Sequence, residues 1–123
     1  MREILFRGKT KRNEWIYGDL ITHGIDFDDA IKQHHTREVW DIIPESVGQF
    51  TGLTDKNGKK IFEGDIIKLY LRDDVTTVGD IRYSEEDCRF KFWEDFEYPY
   101  GFDITTPFEV IGNIHDNPEF LGE

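Results

Sequence analysis

Apolar and polar side chains alternate with a period of two along most of this chain, in short segments parted by turn residues. That spacing belongs to strands rather than helices. Residues 2–7 set Ile4 and Phe6 against Glu3, Leu5 and Arg7, and residues 15–21 put Trp15, Tyr17, Asp19 and Ile21 in one row. The polar stretch 9–13 between them predicts a turn, so the chain opens as a β-hairpin. Val39-Trp40-Asp41-Ile42-Ile43 is a short β run that Pro44 is expected to end, because proline withdraws a ladder donor and biases the preceding residue towards extended geometry. Four more strands are predicted at 61–71, 78–83, 88–93 and 108–115. One face of each collects Ile67, Leu69 and Leu71; Gly79, Ile81 and Tyr83; Cys88, Phe90 and Phe92; and Phe108, Val110, Gly112 and Ile114. Residues 24–33 are expected to form a loop or weak strand. A short helix is the alternative there, with Asp26 as its cap and Asp29 in its first turn. The pattern predicts a mainly β molecule: a small antiparallel SH3-like barrel or curled sheet over 51–123, carrying an N-terminal β extension over 1–50.

The centre of the chain is the most specific part. Asn57-Gly58, flanked by apolar positions, suits a two-residue type I′ turn, in which both central residues take positive φ. Glu63-Gly64-Asp65 before a β-branched strand resembles the start of an SH3-like barrel, a cue of only three residues. The run from Thr51 to Ile67 is similar to the pattern Thr-Gly-Leu-x-Asp-x-Asn-Gly-x-x-Ile-aromatic-Glu-Gly-Asp-Ile and so resembles the YopX proteins of phages and prophages. Pro44-Glu45-Ser46-Val47-Gly48-Gln49-Phe50 and Ile111-Gly112-Asn113-Ile114-His115-Asp116-Asn117-Pro118-Glu119 carry the same resemblance. It implies a phage or prophage origin and one YopX-like domain over 1–123. It implies no biochemical activity, so function has to be argued from the residues.

Composition narrows the choice. Aromatic residues make up 15% of the chain, with ten Phe, five Tyr and three Trp, which supplies a core despite 33% charged residues. The net charge of −11 is uneven: residues 1–79 hold 14 acids and 12 bases, residues 80–123 hold 12 acids and 3 bases. An acidic half repels phosphate, which argues against nucleic acid as a partner. The basic stretches 7–12 and 56–60 read as solvated hairpin tips. Without an apolar run of about 18 residues or a leader-like start, no membrane partner is expected and the location is expected to be cytoplasmic. The single cysteine, Cys88, is expected to point inwards as a small apolar residue.

Candidate chemistry is sparse. His23, His34, His35 and His115 have no metal-ligand spacing, and adjacent His34 and His35 would face opposite sides of a strand. Asp26, Asp28 and Asp29 cluster but lack the glycine and distant glutamate of an EF-hand loop. No metal and no cofactor are expected. Glu63 and Asp65 flank Gly64 and on an extended strand would project to one side, where paired carboxylates can divide acid and base work. The competing reading is structural, with Asp65 accepting backbone N–H bonds. No phosphate-binding loop, nucleophile elbow, zincin or dinucleotide motif is present. The remaining candidate is a recognition surface. Trp93, Glu94, Asp95, Tyr98 and Tyr100 interleave rings and acids, whereas Phe92 and Phe102 are expected in the core. Trp93 is singled out because it falls opposite Phe92, and Tyr100 because it sits beside Gly101 at a loop tip. Three functional readings follow. The first is a non-catalytic module binding a protein, a host protein included, with self-association through open strand edges. The second is an acidic mimic of DNA occupying a basic groove. The third is a small carboxylate- or metal-dependent hydrolase using Glu63, Asp65 and His115.

Overall fold

Contacts divide the chain into two units, Met1–Phe50 and Thr51–Glu123. The computed structural model describes residues 3–22, 29–70, 76–86, 88–94, 98–101 and 107–121, with backbone alone for 93, 94 and 98–101. In the first unit, strands β1 (Phe6–Lys9), β2 (Trp15–Ile21), β3 (Ala30–Lys32), β4 (Val39–Asp41) and the opening of β5 (Ile43–Thr54) lie in the order β4-β3-β2-β1-β5. Neighbouring strands in this order pair antiparallel. Ile16, Ile31 and Ile42 form its core, with Phe6, Leu20, Trp40 and Val47 packed around them. The inward row of β2 is therefore the even-numbered one, and Tyr17 is exposed.

Trp15 has another task. Arg7 and Lys9 stand over its ring at 4.7 and 5.6 Å and are both buried, so this part of the basic stretch is a cation–π stack, and only Lys11 and Arg12 remain as an exposed tip. Gly18, at φ 159°, is required by a close approach: a Cβ there would meet the Lys32 carbonyl oxygen at 2.1 Å. Residues 30–32 are a strand, as the weak-strand expectation had it, while 23–28 lie outside the described residues. Pro44 does not end a run. The chain breaks at Ile42, whose N–H donates to the Asp29 carbonyl, and β5 starts one residue later with Pro44 near its beginning, where a missing donor costs little.

In the second unit, β5 ends and is followed by β6 (Lys60–Phe62), β7 (Asp65–Tyr70), β8 (Thr76–Ser84), β9 (Arg89–Glu94), β10 (Tyr98–Gly101), β11 (Phe108–Asn113) and a short 3-10 helix, Pro118–Leu121. An antiparallel sheet runs β10-β9-β8-β7-β11. Its two ends are β10 and β11, so the sheet is open and is not the closed barrel that was one of the two expectations. The predicted apolar rows meet as a core of Ile61, Ile67, Ile81, Phe92 and Phe108, extended by Leu53, Leu69, Phe90 and Val110.

Among the described non-glycine members of those rows, three fall outside the core, while Leu71 lies outside the described residues. Tyr83 is exposed and meets Phe90 edge-on at 5.2 Å. Ile114 is exposed in the turn that follows β11, a strand whose register also shifts between Val110 and Gly112. Cys88 is exposed in the β8–β9 turn at φ 55°, the reverse of the inward placement expected, since a left-handed residue leaves the strand alternation. The run 61–71 is likewise interrupted, by a turn at Gly64, φ 91°. Among the described residues no helix is long and apolar enough to cross a membrane.

Candidate functional site

The hairpin between β5 and β6 is built by Asp55. Its N–H donates to the Lys59 carbonyl at 2.8 Å, and Gly58 N–H donates to the Asp55 carbonyl at 2.9 Å. Gly58 alone among the tip residues has positive φ, at 81°, so the loop is a turn closed by a left-handed glycine rather than the two-residue type I′ turn expected. The difference comes from the Asp55 side chain. Oδ1 accepts the N–H groups of Asn57 and Lys59, each at 2.9 Å, and Oδ2 accepts Val110 N–H from β11, also at 2.9 Å. The first hairpin repeats the device with a hydroxyl: Thr10 Oγ1 accepts from the N–H groups of Arg12 and Glu14, and Asn13 supplies the positive φ.

Around Asp55 lies a second polar group. Glu109 accepts the Tyr70 hydroxyl at 2.9 Å and the Asn57 amide at 3.1 Å, and the Lys56 ammonium stands 4.1 Å from the Tyr70 ring centre. The Tyr70 hydroxyl, then the Asn57 amide and the Lys56 charge, hold the Glu109 carboxyl below its ordinary range against partial burial and the Asp55 charge. For Asp55, burial pushes upwards, but the backbone N–H groups of Val110, Lys59 and Asn57, with the Lys59 charge, bring the carboxyl below its ordinary range.

Glu63 and Asp65 do not form an extended same-side pair, because Gly64 between them is left-handed. Asp65 is buried and accepts Phe62 N–H at 2.7 Å. Gly64 N–H donates to the Ile81 carbonyl at 2.8 Å, and its carbonyl accepts Ile114 N–H at 2.9 Å, so this turn joins β8 to the chain after β11. The same turn receives His115, whose Nε2 lies 3.8 Å from where a Cβ on Gly64 would stand. His115 therefore approaches the Glu63–Asp65 turn, with Asp65 held inside it.

The C-terminal motif is also structural in its contacts. Asn113 Oδ1 accepts the N–H groups of His115 and Asp116 at 3.0 and 2.9 Å, while Asn117 Oδ1 accepts Asn113 N–H at 3.3 Å. A Cβ on Gly112 would stand 2.5 Å from Asn117 Oδ1, which explains glycine at that step.

Elsewhere, His34 and His35 occupy the turn between β3 and β4 rather than a strand, and His34 Nε2 lies 2.8 Å from Asp19 Oδ1. His23, Asp26, Asp28 and Asp95 lie outside the described residues, as does Phe102. Trp93 and Glu94 end β9, and Tyr98 and Tyr100 belong to β10, a strand that alternation does not predict. Register pairs Trp93 with Asp80 and Pro99, Glu94 with Tyr98, and Tyr100 with the buried Phe92, so Tyr100 is a strand residue and not a loop tip. Sequence reasoning missed Asp80, buried and held by Arg82 Nε at 2.7 Å, and the Tyr70–Glu109 bond. The i, i+2 spacing of Asp80 and Arg82 on one strand face was the signal for the first. Among the described residues, no three His, Cys, Asp or Glu side chains come together as a metal ion would need.

No curated protein matches the chain. Among solved structures, the crystal structure of protein EF1440 from Enterococcus faecalis is similar, at 26% identity and a TM-score of 0.62, over 98% of this chain and 99% of that one. Residues 5–122 match the family described as YopX protein. A match spanning nearly the whole sequence, on motifs that here build the turns, places this chain in the YopX family.

Proposed function

We propose that the protein is a non-catalytic interaction module that binds a protein partner through the acid- and aromatic-rich strand pair β9–β10. The observation that carries the reading is the fate of the polar motif residues. Asp55, Asp65, Asn113 and Asn117 each accept backbone N–H groups, so the groups best suited to chemistry are already engaged in holding turns. Recognition then falls to strand surfaces that those turns leave unoccupied, and β9–β10 is flanked by none of them. Trp93, Glu94, Tyr98 and Tyr100 stand on adjacent strands at one end of the open sheet, with Asp95 between them in sequence, in two register rows: Trp93 with Pro99 in one, and Glu94, Tyr98 and Tyr100 with Phe92 in the other. Pro99 in β10 supplies no N–H, which disfavours addition of a further strand there and favours side-chain recognition. Self-association fits better at β4, a short end strand with Val39 exposed.

Capture from host lysate by the full chain, followed by mass spectrometry, tests this reading against a Trp93→Ala/Tyr98→Ala double variant. A partner held at high salt by the parent and lost by the variant is the expected result; equal capture by both contradicts the proposal. Capture that collapses with salt points instead to the DNA mimic, whose attraction is screened.

A hydrolase is the second reading, favoured by the approach of His115 to the Glu63–Asp65 turn. Asp65→Asn separates it. On the interaction reading the variant loses stability, by about 1–3 kcal/mol, because a buried acceptor is weakened. A hydrolase would lose, beside that stability, turnover on a general ester or phosphoester panel, whereas the interaction reading predicts no turnover in the parent either.

A further inference from the structure

We propose that Asn57-Gly58 is a deamidation site gated by the fold, closed while the hairpin tip is clamped to β11 and open when the clamp lets go. Because glycine carries no side chain, its backbone nitrogen can reach the Cγ of a preceding asparagine. In that reaction Gly58 N gives its proton to solvent base and bonds to Asn57 Cγ, the Cγ–Nδ2 bond breaks, and ammonia leaves. Water then opens the cyclic imide to aspartate or isoaspartate. The net change is water consumed and ammonia released, with no oxidant or reductant.

Both residues are exposed, and nothing lies within 4 Å of where a Cβ on Gly58 would stand, so solvent reaches the junction freely. What holds the reaction back is the engagement of its atoms. The attacking nitrogen keeps its proton in a 2.9 Å bond to the Asp55 carbonyl. The leaving amide donates to Glu109 Oε2 at 3.1 Å, and Asn57 N–H is tied to Asp55 Oδ1 at 2.9 Å. Cyclisation has to turn the Asn57 amide away from Glu109 and free Gly58 N–H at once, which requires local opening of the tip.

The product weakens the clamp. An aspartate at position 57 has no amide to donate and sets a third carboxylate beside Asp55 and Glu109, where like charges repel. Isoaspartate also adds a backbone atom inside the turn that Asp55 closes. Modification of the tip thereby removes the Asn57–Glu109 tie and loosens the tip, which stays held to β11 by Val110 N–H on Asp55 Oδ2 and by Lys56 N–H on the Phe108 carbonyl.

The test follows deamidation at position 57 by peptide mapping of the full chain in mildly alkaline buffer, in the parent, in Glu109→Ala, and in the parent unfolded in urea. The unfolded chain is expected to react fastest, and Glu109→Ala about 3- to 10-fold faster than the folded parent, since one charge-assisted contact is gone from the closed state. Glu109→Gln, which keeps an acceptor oxygen, is expected between parent and Glu109→Ala and stands in if the alanine variant fails to fold. Equal rates in folded and unfolded parent, equal rates in parent and Glu109 variants, or no reaction at Asn57 in urea would each overturn the proposal. Asn57→Asp should melt below the parent; an unchanged melting temperature would overturn the claim that the product loosens the tip.

Discussion

Asp55→Ala is expected to destabilise the second unit by about 2–4 kcal/mol, because three backbone N–H groups lose their acceptor in one substitution and the Val110 donor is not fully exposed. For a unit of this size that is a fall in melting temperature of roughly 10 °C or more. Asp55→Asn should cost less, since one oxygen survives. The charge adds a pH signature. The Asp55 carboxyl is held below its ordinary range in the folded chain, although burial alone would raise it. A depressed folded value means that the unfolded chain binds the proton more readily, so the contribution is complete above the unfolded value and is lost as pH falls through the folded one. Stability of the parent should therefore drop on the acid side of about pH 4, and Asp55→Ala should show a shallower drop. Thermal melts of both proteins across that range read the difference directly.

Phe92→Ala is expected to be costlier still, about 3–5 kcal/mol, since the ring is buried at the centre of the second core and its removal leaves a cavity that sheet strands cannot close. Register sets Phe92 opposite Ile81 on β8 and Tyr100 on β10. The loss should appear in urea titration as a lower midpoint at an unchanged slope, because the surface exposed on unfolding stays the same. Together the two substitutions separate the contributions of a turn acceptor and of a core ring within one unit.

The strands that could be read from alternation are those whose inner row is apolar and whose ends are ordinary turns, such as β7 with Ile67 and Leu69 or β9 with Phe90 and Phe92. β10 could not be read in that way. Tyr98-Pro99-Tyr100-Gly101 contains two punctuating residues, and proline is tolerated in it because the strand ends the sheet. Cys88 and Ile114 were misplaced for a common reason: alternation continues on paper through a left-handed residue or into the turn that follows β11, whereas the backbone does not. At the candidate site, local chemistry was legible and distant chemistry was not. An aspartate two residues before Asn-Gly carries the signal of a side-chain-closed turn, and the acceptor role of Asp65 was one of the two readings open to it. The bonds from Glu109 to Tyr70 and Asn57 span 39 and 52 residues, and no local pattern announces them.

The motif side chains are spent as acceptors for backbone donors, and native-state amide hydrogen exchange tests that most directly. The amides of Asn57, Lys59, Phe62, Val110, His115 and Asp116 each donate to such a side chain. They should exchange well below the rate of an open loop despite lying at turns and strand ends, and Asp55→Asn should speed Asn57, Lys59 and Val110 while leaving His115 and Asp116 unchanged. Free exchange at all six positions in the parent protein would contradict the account and return those side chains to the pool of candidates for chemistry.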